Sequence, residues 1–199
     1  MEQIRVFYED FKGFSVGEFP YEPLHGAMGE YHFRPNAWYG GPWRDPIPGK
    51  GGVKTWLIME SEGRKYIEYS AANTGGLENL FMLSAGQNDW QDITIKASVR
   101  PLSKRAYAGM LFRYANSRCG YALLFHDGKL LLVMRRHEEH VILCEAACPL
   151  DFYKPAQLEI ELRGPRIIAR VDGEALIDHS DATYAQGRIA FAASAFLDS

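Results

Sequence analysis

The residues best equipped for chemistry lie in an irregular loop, PNAWYGGPWRDPIPGKGG, at positions 35–52. Trp38, Tyr39 and Trp43 supply flat aromatic faces, and Arg44 and Asp45 supply planar groups that form paired hydrogen bonds. Sugar recognition needs both: an aromatic plane against the C–H face of the ring, and donors and acceptors for the hydroxyls. The prolines and glycines of the loop exclude helix and interior strand. Long loops of this kind are functional or disordered, and aromatic richness argues against disorder. The competing reading makes the tryptophans plugs at the edge of a sandwich.

A second group could move protons. Glu159 and Glu161 sit two apart in LEIELR, on one face of a strand and about 7 Å apart by strand rise. Glycosidic cleavage uses two carboxyl groups roughly 5–10 Å apart. Plain strand alternation explains the same spacing. Lys96, Arg113 and Glu161 on the polar faces of strands could extend a binding surface. His137-Glu138-Glu139-His140 lacks the i, i+4 helical spacing of zinc proteases and falls in a hairpin turn. The sequence has no glycine-rich phosphate loop with a following lysine, and no serine nucleophile elbow.

The elements that must position these groups are strands. Residues 107–136 read as a three-stranded meander. Ala108, Met110, Phe112 and Tyr114 share one face of the first strand, with Gly109, Leu111 and Arg113 on the other. Residues 116–120 turn the chain into 121–126, and Asp127-Gly128 is a two-residue hairpin signal leading into 129–136. In 92–100, Ile93, Ile95, Ala97 and Val99 alternate with Thr94, Lys96, Ser98 and Arg100, the pattern of a half-buried antiparallel strand. Residues 140–145, 158–163, 166–171, 174–177 and 188–196 continue the series, with Gly164-Pro165 and Asp172-Gly173 as turns. Upstream, 3–11 is expected to begin as a strand, Ile4 and Val6 alternating with Arg5 and Phe7, before Glu9-Asp10-Phe11 leads into a turn at Lys12-Gly13; strands are also expected at 30–34 and 80–84, and a hairpin at 55–70. No helix longer than a turn or two is expected. The whole is all-β, and 199 residues suit one sandwich domain spanning 1–199.

Composition narrows function. A net charge of −3 argues against non-specific nucleic-acid binding, which needs a positive field, and gives no attraction to an anionic membrane. No apolar run approaches the roughly 20 residues of a spanning helix. The N-terminus, MEQIRVFYEDF, has no basic start followed by an apolar stretch, so a cytoplasmic protein is expected, the alternative being a secreted one with its leader removed. Cys119, Cys144 and Cys148 are an odd number, best read as reduced thiols.

YAGMLFRYANSRCGYALLF, LEIELRGPRIIARVDGEALIDHSD and GRIAFAASAF resemble the concanavalin A-like lectin/glucanase superfamily, laminin-G-like jelly rolls of two curved antiparallel sheets. The likeness lies in a glycine-to-arginine strand followed by a tyrosine-bearing one, paired late strands closed by Val-Asp-Gly, and a glycine-led last strand. It covers residues 92 onward well and 1–86 loosely. The Glu-x-Asp-x-x-Glu strand of the catalytic glucanases is missing, as are the Arg-x-Glu-Leu-Arg and Gln-x-His strands of alginate lyases. The resemblance therefore implies a non-catalytic, lectin-like domain that binds an oligo- or polysaccharide, accessory to a glycan-active protein and read as its N-terminal module. The alternatives are a glycoside hydrolase or polysaccharide lyase of the same fold acting through Glu159, Glu161 or Arg113, and a structural module packed on another domain. No organic cofactor is implied. A structural Ca2+ between the chain ends is, with Glu9, Asp10 and Asp198 as its carboxylates.

Overall fold

The structure is a computed structural model and describes residues 6–19, 43, 56–70 and 75–194. Thirteen strands are described: β1 (Gly17–Glu18), β2 (Trp56–Ser61), β3 (Arg64–Tyr69), β4 (Phe81–Ala85), β5 (Thr94–Val99), β6 (Tyr107–Asn116), β7 (Cys119–His126), β8 (Lys129–Arg136), β9 (Glu139–Ala147), β10 (Ala156–Arg163), β11 (Arg166–Val171), β12 (Glu174–Ser180) and β13 (Arg188–Ser194). One 3-10 turn spans Leu77–Asn79. No helix among the described residues is long and apolar enough to cross a membrane.

The strands form a six-stranded sheet, β4-β13-β6-β7-β8-β9, a four-stranded sheet, β12-β11-β10-β5, and a three-stranded sheet, β1-β2-β3. Every pairing is antiparallel. The main core lies between the layers. Met110, Phe112, Tyr121, Leu123 and Leu132 from the six-stranded sheet meet Leu158, Ile160, Leu162, Ile167 and Ala169 from the four-stranded one. The three-stranded sheet packs on the same core beyond them: Tyr69 of β3 lies 5.3 Å from Phe81 of β4. At the other end β12 lies against β9. This is the expected jelly-roll sandwich.

Two features depart from simple alternation. The six-stranded sheet is apolar and buried on its second face as well, where Met82, Leu111, Ala122, Leu124, Val133 and Ala190 are all fully buried. An antiparallel sheet usually gives one face to water; this one gives neither in its central strands. The other departure is at Arg113, whose φ of 45° interrupts the β6–β7 register between Phe112 and Asn116. This bulge moves Tyr114 onto the Leu111 face and turns Arg113 toward the opposite layer. The face assignment expected for Tyr114 and Arg113 is thereby reversed.

The strand expected at the beginning of 3–11 lies largely outside the described residues and does not reach residues 6–11, and the turn expected after it is present at 11–14. Side chains take its backbone donors: Phe11 N–H donates to Glu9 Oε1 at 2.7 Å and Lys12 N–H to Asp10 Oδ1 at 3.1 Å. Such local bonds compete with a sheet ladder. The strand expected at 30–34 lies outside the described residues. β12 runs three residues further than the expected 174–177, because Ser180 and His179 pair with Arg166 and Ile167. Cys119, Cys144 and Cys148 are unpaired.

Candidate functional site

The outer face of the four-stranded sheet gathers the predicted strand residues. β10 lies between β5 and β11, so Glu159 faces Lys96 on one side and Arg170 on the other. Lys96 Nζ is 2.9 Å from Glu159 Oε2. A single guanidinium nitrogen, Arg170 Nη1, donates to Glu159 Oε1 at 3.1 Å and to Glu161 Oε2 at 3.0 Å. Arg163 stands 3.7 Å from the other Glu161 oxygen. Beside this ladder, Arg166 forms a bidentate pair with Asp178 at 2.8 and 2.6 Å, and Gln157 donates to Ser98 Oγ at 3.1 Å.

The electrostatics oppose Glu159 as a general acid. The hydrogen bond from Lys96 is the largest influence on Glu159 and holds its carboxyl below the ordinary range; slight burial pushes the other way, and Arg170 adds to the lowering. A general acid needs the reverse, a carboxyl kept protonated near neutral pH by burial or a like charge. What the face offers instead is a fixed array of acceptors and donors, open to solvent along Lys96, Ser98, Gln157 and Arg163. Arg170, which organises it, carried no signal beyond its parity in the expected strand 166–171. Its partners depend on β10–β11 register.

Arg113 is elsewhere. It is 1% exposed, and its guanidinium donates to the carbonyl of Tyr184 at 3.1 Å and to that of Gly164. Gly164 lies in the β10–β11 turn and Tyr184 in the β12–β13 connection, so the side chain bridges the layers at one end of the sandwich. Tyr121 donates to Asp181 beside it, and Tyr184 O–H donates to the carbonyl of Arg135 at 2.8 Å. This corrects Arg113 as a ligand-binding residue: the side chain is buried, and both terminal guanidinium nitrogens donate to backbone carbonyls inside the protein. Burial lowers its pKa without removing its charge.

Trp43 is corrected in the same way. It is 1% exposed, stacked 4.8 Å from Phe191 and 5.9 Å from Phe11, and its Nε1 donates to Glu9 Oε2 at 3.1 Å. At 1% exposure the ring offers no face to a sugar. Trp38, Tyr39, Arg44 and Asp45 lie outside the described residues, as does Asp198. Of the carboxylates named for calcium, Glu9 accepts from Phe11 and Trp43, and Asp10 pairs with Lys12 at 2.7 Å. Among the described residues no three His, Cys, Asp or Glu side chains converge.

A sandwich with these sheets and this topology has the jelly-roll fold. The chain's fold is similar to carbohydrate-binding module CBM66 from Bacillus subtilis, at 15% identity over 76% of this chain and 90% of that one, TM-score 0.56. It is also similar to a prokaryotic β-1,3-1,4-glucanase (lichenase) derived from a mouse hindgut metagenome, at 11% identity over 78% and 81%, TM-score 0.53. A third likeness is to a Bacillus subtilis protein with a galectin-like fold, at 14% identity over 76% and 82%, TM-score 0.52. No family model matches the sequence, and no curated protein matches it. Both a binder and an enzyme use this fold, so the fold leaves the activity open.

Proposed function

We propose that this domain is a non-catalytic carbohydrate-binding sandwich that contacts an oligo- or polysaccharide and serves as an accessory to a glycan-active protein. The observation that carries the reading is the shared Arg170 nitrogen between Glu159 and Glu161. It makes the two carboxylates paired acceptors held side by side by one cation, an arrangement suited to holding hydroxyls. The fold is one that a carbohydrate-binding module also uses.

The test is calorimetric titration of the domain against a panel of plant and bacterial polysaccharides, with release of reducing ends measured in parallel. The expected outcome is saturable binding with reducing ends at background. Arg170→Ala and Lys96→Ala should each weaken binding severalfold. Absence of binding to every polysaccharide by a folded domain would overturn the proposal. Hydrolysis or lyase activity that disappears in Glu161→Gln would replace it with the enzymatic reading.

A further inference from the structure

On the outer face of the four-stranded sheet the carboxylates are engaged and the cations are only partly so. Glu159 meets Arg170 with one oxygen and Lys96 with the other, and Arg166 clasps both oxygens of Asp178. Glu161 takes Arg170 on one oxygen and has Arg163 3.7 Å from the other. The cations keep donors in hand. Arg170 uses only Nη1, so its Nε and Nη2 have no partner among the described residues. Arg166 likewise keeps Nη1, and Arg163 keeps Nη2. Lys96 makes one contact with three donors, and its side chain is 73% exposed. Within this ladder four cations face three carboxylates, a positive excess in a chain whose net charge is −3.

The excess collects at the β10–β11 hairpin. Arg163 and Arg166 close that hairpin directly opposite each other, and like charges so placed destabilise a strand pair. Asp178 neutralises Arg166 through a bidentate pair. Arg163 has no such partner: 3.7 Å to Glu161 is beyond hydrogen-bonding distance. Its charge is the least compensated of the four. Asp92 also reaches this hairpin, but it accepts from Gly164 N–H at 2.6 Å and supports the charge of the buried Arg113. No outward-facing residue of these four strands is aromatic. A neutral sugar binds largely by stacking on an aromatic plane; on this face the affinity has to come from charge.

We infer that the face takes an acidic glycan, a chain bearing uronate carboxylates, with one carboxylate seated at the β10–β11 hairpin between Arg163 and Arg166. A guanidinium edge matches a planar two-oxygen anion better than an ammonium does. The free donors of Arg170 and Lys96 continue the cationic track across β11, β10 and β5, and the lone pairs left on Glu159 and Glu161 accept the hydroxyls of the same chain. This rests on the carbohydrate-binding reading and names its ligand class.

The experiment is calorimetric titration of the domain with polygalacturonate, alginate and hyaluronan, each beside its carboxyl-reduced neutral form, and with dextran sulfate and laminarin. At least one acidic chain should bind, its carboxyl-reduced form about tenfold more weakly, and the acidic chain should bind less tightly as salt rises from about 0.05 to about 0.5 M. Arg163→Gln and Arg166→Gln should each weaken the acidic chain about tenfold, the scale of one charge-assisted contact, and leave the reduced form unchanged. Their side chains are 52% and 56% exposed, so both variants should keep the parent's melting temperature. Equal binding of the acidic and reduced forms, or binding of laminarin alone, would overturn the acidic class and leave the proposed function standing. Dextran sulfate binding as tightly as the uronate chains would overturn the carboxylate assignment in favour of a sulfated glycan. Parental affinity in both variants would overturn the seat at the hairpin. Silence from every chain, neutral ones included, would overturn both this inference and the carbohydrate-binding reading.

Discussion

Arg113 shows how much one buried cation can organise. Strands of the four-stranded layer turn near it, and its guanidinium donates to the carbonyls of Gly164 and Tyr184 in the connections that follow β10 and β12. A charge so placed is tolerated because its acceptors are fixed, and removing it strands them. Arg113→Met is therefore expected to destabilise the domain by about 3 kcal/mol, read as a lowered midpoint in urea. Carbohydrate affinity of the remaining folded fraction should be unchanged, since the side chain is closed to ligand. The sequence placed a lone arginine on a strand face; it could not show that a bulge would turn that arginine inward. Lys96, Glu159 and Glu161 were legible because β5 and β10 alternate cleanly. Their common partner Arg170 was not, because cross-strand neighbours are set by register.

Two glycines that carried the family resemblance have packing reasons. A Cβ on Gly109 of β6 would sit 2.0 Å from the Leu123 carbonyl oxygen, so β6 and β7 approach as closely as they do only without one. Gly187, which leads into β13, has φ of 152°, and a Cβ there would come within 2.5 Å of the Arg113 carbonyl carbon and 2.6 Å of Tyr114 N. Gly187→Ala should cost about 2–4 kcal/mol, from strain and from displacement of the bulge, measurable by thermal or chemical unfolding. At this scale the hairpins at Asp127-Gly128 and Asp172-Gly173 and the strands between them follow from alternation and turn residues. The turn expected after Glu9-Asp10-Phe11 does form, and the carboxylates of Glu9 and Asp10 hold it by taking the backbone donors of Phe11 and Lys12.

Across the whole molecule, the layers are tied by different means at their two ends. One end is closed by polar bonds through Arg113, Tyr121, Asp181 and Tyr184; the other is closed by backbone bonds among loops. The polar end sets a pH limit. Burial, reinforced by the bond to Asp181, pushes Tyr121 up to about 12, and burial pushes Tyr184 to about 12. A phenol whose folded pKa exceeds its unfolded value, about 10, contributes fully below pH 10. That contribution is lost as pH rises from 10 towards 12. The melting temperature should therefore hold to about pH 10 and fall steeply above it. In Tyr121→Phe, which has no proton to lose there, the fall should be shallower.

The sequence by itself determined the class of the fold and most of its strands, because period-two alternation and turn chemistry are local properties of the chain. It also determined that the glucanase acidic strand is missing. Tertiary structure decided which residues remain available. Trp43 reads as a sugar platform in a loop, but it is buried against Phe11 and Phe191, which come from distant positions. Tyr153 attracted no notice in DFYKP and stands open. Both outcomes depend on which segments the fold brings together, and exposure is a property of that assembly rather than of residue type.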